Sequence, residues 1–201
     1  MSTILTKAGV HGATTLATFS FQSLLTSQPR ALRSRGVMLA LSYLIEDVAA
    51  NSGDAYLIAT FQRFSHYHRQ LNRYRRFTPQ LAHTFVLGYP DVVPIPLSGV
   101  TTVELEEHWP LVHEWVVIGW GPTCAVALVA YDEEKRAPHG ISRAFQAVWT
   151  TNDRQVELLV RAFFPVLGLE LPTVTPDPVA RQQTALALQR ELPQRLRGIK
   201  R

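Results

Sequence analysis

The sequence contains one cysteine, Cys124, among its 201 residues. A single cysteine excludes an internal disulfide bond and a cysteine-based metal cluster. The residues that follow it, AVAL at 125–128, are apolar. We therefore expect Cys124 to be a small buried side chain rather than a catalytic thiol.

Long apolar runs are also missing from the sequence. No run reaches the roughly 18 to 20 residues that a membrane-spanning helix needs. The N-terminus lacks the basic start and continuous apolar stretch of a signal peptide. We therefore expect a cytoplasmic, soluble protein without a membrane partner. The hydrophobic fraction of 46% is ample for a packed core, and the length fits one domain with an appendage.

Common catalytic motifs are absent as well. The sequence has no Walker motif, G-x-G-x-x-G, G-x-S-x-G or H-E-x-x-H, which argues against nucleotide hydrolysis, serine hydrolysis and a zincin site. His66 and His68 are two residues apart on a predicted helix, so they point to different faces and do not share a metal. Adjacent acids such as Glu46 and Asp47 diverge in the same way. We expect no catalytic residues and no metal, and the sequence indicates no particular cofactor.

Hydrophobic spacing predicts an α+β fold with a central, mostly antiparallel sheet of about five strands, flanking helices and a C-terminal helical tail. Residues 15–22 fit a strand or a short helix equally well. Residues 100–110 carry three glutamates and are expected to be exposed. The predicted helices are 35–51, 62–77, 153–166 with Asn152 or Asp153 as its cap, and about 179–197. The predicted strands are 55–61, 84–87 and an antiparallel meander of 114–120, 125–131 and 144–150.

Composition divides the chain into four parts. These are an N-terminal arm at 1–32, a domain at 33–167, a proline-rich linker at 168–178 and a basic C-terminal helix at 179–201. The last helix has a narrow apolar seam, which is expected to dock on its own domain, on a second copy or on a partner. We expect Pro193 to kink or interrupt this helix. The seam consists of Leu188, Leu192, Leu196 and Ile199.

The charge is unevenly distributed. The formal net charge is +4, and residues 178–201 hold six basic side chains against one acidic side chain. The basic isoelectric point therefore comes from the tail, and the rest of the chain is close to neutral.

The segment from Phe61 to Phe77 contains five arginines and no acid. Its aromatic residues recur at spacings of three and four, which predicts a helix that buries aromatic rings and exposes arginines. Three interpretations stay open: binding of phosphate or nucleic acid, binding of a small anion or acidic partner, and pairing with acids of the same domain such as Glu46 and Asp47. The predicted basic surface consists of Arg69, Arg73, Arg75 and Arg76.

Several phrases together resemble a known family, the DICT domain, which is named for its occurrence with diguanylate cyclases and two-component systems. The resemblance covers about residues 33–167. The phrases are LALSYLIEDVA (39–49), ATFQRFSHYHRQLNRY (59–74), PLVHEWVVI (110–118), AVALVAYDE (125–133) and FQAVWTTND (145–153).

The resemblance implies a non-catalytic bacterial sensory domain in signal transduction. It implies binding of a ligand or partner protein and a signal relayed through protein–protein contacts, in a light-responsive or cyclic-dinucleotide-linked pathway. Such domains are usually fused to output modules. Here a linker and one helix follow residue 167, so we expect the output to be a signalling or regulatory partner, a change of homo-oligomer, or the tail itself.

A sensory sheet often cups its ligand under a helix, and aromatic residues of the predicted strands are candidates for that lining. The alternative is that these rings are core. The predicted ligand- or partner-binding residues are Phe61, Arg63, Tyr67, Trp115, Trp120 and Trp149, with Phe145 beside them. The competing function is a nucleic-acid-binding transcriptional regulator that uses the basic helix 61–77 and the basic tail.

Overall fold

One mixed sheet forms the centre of the molecule. The structure, a computed structural model, describes residues 3–5, 13–132 and 144–197. Its strands are β1 (Thr3–Leu5), β2 (Ala31–Ser34), β3 (Tyr56–Arg63), β4 (His83–Tyr89), β5 (Val100–Glu104), β6 (Glu114–Trp120), β7 (Ala125–Asp132) and β8 (Ala144–Thr150). Their spatial order is β1-β5-β4-β3-β6-β7-β8-β2. Four neighbouring pairs are antiparallel and three are parallel.

Helices cover both faces of the sheet. They are α1 (Ala13–Thr18), α2 (Phe21–Leu24), α3 (Arg35–Ser52), α4 (Phe64–His68), α5 (Leu71–Phe77), α6 (Asp153–Val166) and α7 (Pro178–Arg197). Buried residues of α1, α2 and α6 share one apolar cluster, and those of α3, α4, α5 and α7 share another. Successive residues of β7 alternate between the clusters: Val126 and Leu128 face α3, whereas Ala127 and Val129 face α6. This two-sided burial explains why the central strands are continuously apolar.

The predicted α+β class is confirmed. The helix predicted at 35–51 is α3, and the meander has the predicted antiparallel register through β6, β7 and β8. Helix α6 has the predicted bounds, and the Asn152 side chain accepts a hydrogen bond from the Gln155 amide at 3.2 Å. Cys124 is fully buried, as its neighbours indicated. The sheet has eight strands rather than about five.

The prediction of one helix over residues 62–77 was wrong. Strand β3 continues to Arg63, which pairs with Tyr89 of β4 after a register shift that follows Phe61. Two short helices, α4 and α5, then replace the single helix. Backbone pairing with β4 outweighs local helical periodicity here, because the added strand residues keep their hydrogen bonds in the sheet. The aromatic stripe is nevertheless buried as predicted, and includes Phe64, Tyr67 and Tyr74.

The prediction that residues 100–110 are exposed was also wrong for most of this segment. Strand β5 lies inside the sheet between β1 and β4, and its residues 100–103 are buried. The glutamates suggested solvent exposure, but they follow the buried part of the strand, and Glu107 is exposed. Pairing of β5 with β1, 98 residues earlier in the chain, carries no local signal in the sequence.

Residues 1–32, expected to be an arm, contribute to the same sheet and core. Strands β1 and β2 form its two edges. The segment that fitted a strand or a helix contains helix α1 and the start of α2, and Leu16, Phe21 and Leu25 are buried. Glu114 of β6 fixes this region, since the backbone N–H of Phe21 donates to its carboxylate at 2.9 Å and the Ser20 hydroxyl donates to it as well.

The C-terminal helix α7 packs along α3. In the predicted seam, Leu188 is buried in the cluster under α3 and Leu192 packs against it, while Leu196 is half-buried and Ile199 lies outside the described residues. The helix is not interrupted at Pro193. Pro193 is exposed, so the carbonyl that loses its helical partner can bond to water.

Candidate ligand-binding site

A cavity lies between helix α3, the α4–α5 segment and one face of the sheet. Its volume is about 130 Å³. Three strands supply its floor, and helix α3 and the α4–α5 segment supply its walls. The lining residues are Arg35, Leu39, Ser42, Tyr43, Glu46, Ala59, Thr60, Phe61, Gln62, His66, Arg69, Gln70, Tyr74, Trp115, Val117 and Phe145.

An aromatic wall runs along this cavity. The rings of Trp115 and Phe145 meet edge to face, with centroids 5.4 Å apart. The indole Nε1 of Trp115 donates to Ser42 Oγ at 2.9 Å, and the Ser42 hydroxyl donates to the Met38 carbonyl at 2.9 Å. These bonds hold the indole against α3 and fix its orientation in the wall.

Strand β3 ends its pairing with β6 at the edge of the cavity. The last paired residues are Ala59 and Val117. Beyond them the Thr60 side chain, rather than the backbone of β3, forms the hydrogen bonds to β6. Its hydroxyl donates to the Glu114 carbonyl at 2.7 Å and accepts from the Val116 amide at 2.8 Å. This satisfies the backbone groups of β6 while β3 turns towards α4, and irregular strand geometry of this kind is frequent beside functional sites.

Glu46 of α3 is a buried carboxylate in the cavity lining, with 3% of its surface exposed. It accepts hydrogen bonds from Arg73 Nε at 2.6 Å and from the Tyr74 hydroxyl at 3.2 Å. Burial raises the pKa of Glu46, and the bonds from Arg73 and Tyr74 oppose that rise. Arg73 also donates to Asp47 at 2.6 Å and to the Tyr43 carbonyl at 3.0 Å. The predicted pairing of the arginine segment with Glu46 and Asp47 is therefore confirmed for Arg73.

Positive charge gathers at one side of the cavity. Arg35 and Arg69 line it and are exposed. Neither forms an ion pair with any residue that the structure describes. The pKa of His66, which lies with them in the lining, is lowered mainly by burial and further by the charges of Arg35 and Arg69. His66 is therefore mostly neutral at pH 7, beside two guanidinium groups that have no ion-pair partner within residues 3–5, 13–132 and 144–197.

The cavity brings together some of the predicted binding residues. Phe61 and Trp115 line it, together with Phe145. Tyr67 lies behind Phe61, with ring centroids 5.5 Å apart, and its buried hydroxyl has no hydrogen-bond partner among the described residues. Trp149 packs in the cluster on the same face without lining the cavity.

Two other predicted binding residues lie elsewhere. Trp120 belongs to the cluster on the opposite face of the sheet, where its ring is 5.9 Å from that of Tyr56. The Arg63 guanidinium lies 5.6 Å from the centre of the Tyr89 ring. Both placements follow from strand alternation and from the extension of β3, which the sequence prediction ended at residue 61.

The predicted basic surface is divided among different surroundings. Arg69 lines the cavity, whereas Arg73 is held between two carboxylates. Arg75 is exposed and contacts the Asn72 side chain at 3.4 Å. Arg76 lines a second cavity, between α3, α5 and α7.

Sequence reasoning missed Ser42, Glu46 and Arg35 as parts of the site. Glu46 was considered only as a possible partner of the arginine segment, but α3 is covered by both the sheet and α5, which widens its buried face. The available signal was the spacing of Met38, Ser42 and Glu46 at four-residue intervals, which places all three on one side of the helix.

Fold and site together define a class: an α+β domain with a small cavity between a helix and a sheet. Within the described ranges, no three His, Cys, Asp or Glu side chains are grouped as metal ligands. The sequence model of one family, described as the sensory domain in diguanylate cyclases and two-component system (DICT), matches residues 15–133. The chain belongs to the DICT family, which is a sensory rather than a catalytic family of signalling proteins.

Comparison with curated proteins and with solved structures finds no match. In the parts of the chain that the structure describes, no helix is both long and apolar enough to cross a membrane.

Proposed function

We propose that this DICT domain is a non-catalytic sensor that binds a small molecule in the cavity beside α3 and relays its presence through protein contacts of α7. The observation that carries the proposal is the cavity itself. Its aromatic wall is held in place by the Trp115–Ser42 bond, and Phe61, Thr60 and Ala59 of β3 complete it. Preformed concave sites with a few fixed polar groups are typical of small-molecule binding.

A chain of polar contacts supports the relay. Glu46 lines the cavity and is bonded to Arg73. Arg73 is bonded to Asp47, and Arg195 of α7 donates to the other oxygen of Asp47 at 3.1 Å. Three successive polar contacts therefore join Glu46 to Arg195 of α7, so a ligand that changes the position of Glu46 acts on a group connected to α7.

Helix α7 is suited to an output role because few of its side chains are buried. Of its side chains, Arg181 and Leu188 are buried. Burial of one leucine contributes about 1.5–3 kcal/mol, so a modest change in the α3–α7 contact shifts the docked fraction. In this proposal the linker 168–177 and the basic helix α7 (Pro178–Arg197) form the output segment, and a signalling protein or a second copy of the chain receives it.

The test uses the full chain purified from its native cells. Native mass spectrometry is expected to find a small molecule bound to the wild-type protein and none bound to an Ala59→Leu variant, whose larger side chain fills the cavity. Ala82→Leu is the matched control, because Ala82 is exposed and outside the lining. Hydrogen exchange of residues 178–197 is expected to differ between loaded and emptied wild-type protein. Equal masses for the wild type and Ala59→Leu, together with identical exchange in loaded and emptied wild-type protein, would contradict the proposal.

A further inference from the structure

The shape and chemistry of the cavity restrict what it accepts. Phe61, Trp115 and Phe145 present aromatic surface from three different strands. Flat rings pack against such surfaces by stacking or edge contact. An engineered apolar cavity of about 150 Å³ holds one benzene molecule, so a cavity of about 130 Å³ accommodates a single ring with its substituent directed to the mouth.

The charges favour an anion over a cation. Among the described residues that line the cavity, Glu46 is the one carboxylate, and its oxygens are already engaged by Arg73 and Tyr74. A cationic ligand would therefore compete with a bonded guanidinium. Arg35 and Arg69 have no carboxylate partner among the described residues, and guanidinium groups bind carboxylates and phosphates through paired hydrogen bonds.

His66 adds a pH dependence to this selectivity. The charges that act on it are Arg35, Arg69 and Arg63, which lower its pKa, and Asp91, which raises it. A bound anion adds negative charge beside the imidazole and favours its protonated form. Binding is therefore coupled to proton uptake, and affinity rises as the pH falls towards the pKa of His66.

We infer that the cavity binds a small aromatic anion, with its ring against Trp115 and its carboxylate or phosphate at Arg35 and Arg69. This inference depends on the proposed function, because it specifies the ligand of the same cavity. The shared chemistry is one planar ring with one anionic group, and it is available in aromatic carboxylic acids and in pyrimidine nucleoside monophosphates.

Titration of the full chain, followed by tryptophan fluorescence and calorimetry, tests the class. The aromatic anions are benzoate and uridine 5′-monophosphate, and their neutral counterparts are benzamide and uridine. Acetate and inorganic phosphate are the anions without a ring. We expect one aromatic anion to bind at least tenfold more tightly than both its neutral counterpart and the ringless anion. Which of the two binds identifies the carboxylate or the phosphate source.

Variants connect the binding to the site. Arg35→Gln and Arg69→Gln are each expected to weaken binding of that anion about tenfold, and Ala59→Leu to abolish it. Arg75→Gln is the control, because Arg75 lies outside the lining, and should bind as the wild type does. Affinity should increase between pH 8 and pH 6. Circular dichroism confirms that each variant is folded.

Three results would overturn the inference. The first is equal binding of the neutral counterpart, and the second is unchanged affinity in both Gln variants. The third is that no aromatic anion of the panel binds, while native mass spectrometry identifies a neutral or cationic molecule in the cavity. In each case the cavity still binds a ligand, so the proposed function stands. If nothing binds and nothing co-purifies, the proposed function fails as well.

Discussion

Replacement of Arg73 by methionine tests the buried ion pair on which the cavity wall depends. Methionine keeps an apolar stem and removes the charge, so Glu46 stays buried at 3% exposure with no cationic partner. Breaking a fully buried pair costs about 3–5 kcal/mol. The Arg73 side chain is 23% exposed, and solvent screening reduces the cost. We expect the free energy of unfolding to fall by about 2–3 kcal/mol at pH 7.

The assay is urea denaturation followed by tryptophan fluorescence and circular dichroism. With a slope of about 2 kcal/mol per molar, the midpoint should fall by about 1 M urea. Arg75→Met is the matched control in the same helix. Arg75 is exposed, so this change should stay within about 0.5 kcal/mol.

The pH dependence of this deficit gives a second test. Burial raises the pKa of Glu46 in the folded protein, and Arg73 opposes the rise. Without Arg73 the folded pKa rises further above the unfolded value, so the native state binds the additional proton. Stability then falls as the pH rises through the interval between these two pKa values. The deficit of Arg73→Met should therefore be smallest in acid and largest above the folded pKa of Glu46.

The double variant Glu46→Gln with Arg73→Met isolates the pair. In the double variant no uncompensated charge is left. We therefore expect its free energy of unfolding to be at least about 1 kcal/mol higher than the sum of the two single-variant losses predicts. Strict additivity of the single variants, or a deficit that does not change with pH, would refute the assignment of the cost to a buried carboxylate.

Three further predictions concern other parts of the fold. Glu114→Gln should destabilise the protein by about 1–3 kcal/mol, because the amide cannot accept all the bonds that the carboxylate receives from the start of α2. Burial raises the pKa of Glu114. The stability of the wild type should therefore fall more steeply than that of the variant as the pH rises from about 4.5. Gly88→Ala should cost about 1–3 kcal/mol in urea denaturation, because its Cβ would lie 2.7 Å from the Phe61 carbonyl oxygen. Arg181→Met should speed hydrogen exchange throughout α7, since the Arg181 guanidinium donates to the Gly121 carbonyl at 2.7 Å and lies 3.4 Å from the Asp153 carboxylate. Arg190→Met, at an exposed position of the same helix, is the control.

The corresponding contrary results are specific to each change. Parallel pH profiles for Glu114→Gln and the wild type would contradict the titration argument. Unchanged stability of Gly88→Ala would mean that β3 and β4 can separate at this point without cost. Equal exchange in the Arg181 and Arg190 variants would show that the buried guanidinium does not anchor α7.

Local sequence patterns predicted the bounds of the elements that are determined by nearby residues. Strand β6 and helix α6 have their predicted bounds because a continuous apolar run, helical apolar spacing and the Asn152 cap all act within a few residues. The helix expected at 62–77 failed because β4 recruits residues up to Arg63 into the sheet. Strand β5 was missed because its burial depends on β1, a strand from the far end of the chain.

The sequence predicted the kind of site, but it did not predict which residues form it. An aromatic and arginine-rich segment beside strands indicated a binding face, and Phe61 and Trp115 do line the cavity. Which arginine is free and which is paired depends on distances between α3 and α5, which are set by packing. Arg73 reaches Glu46, whereas Arg69, four residues earlier, lines the cavity without a carboxylate partner among the described residues.

The sequence alone determined the class of fold, the near-neutral domain with its basic tail and the family resemblance, because composition, periodicity and ordered motifs are properties of the chain itself. The tertiary structure decided where the charges meet. It buried Glu46 beside Arg73, left Arg35 and Arg69 at the cavity, and placed Arg195 of the tail on Asp47. These contacts join residues up to 148 positions apart, and only the packing of helices on the sheet brings such residues within hydrogen-bonding distance.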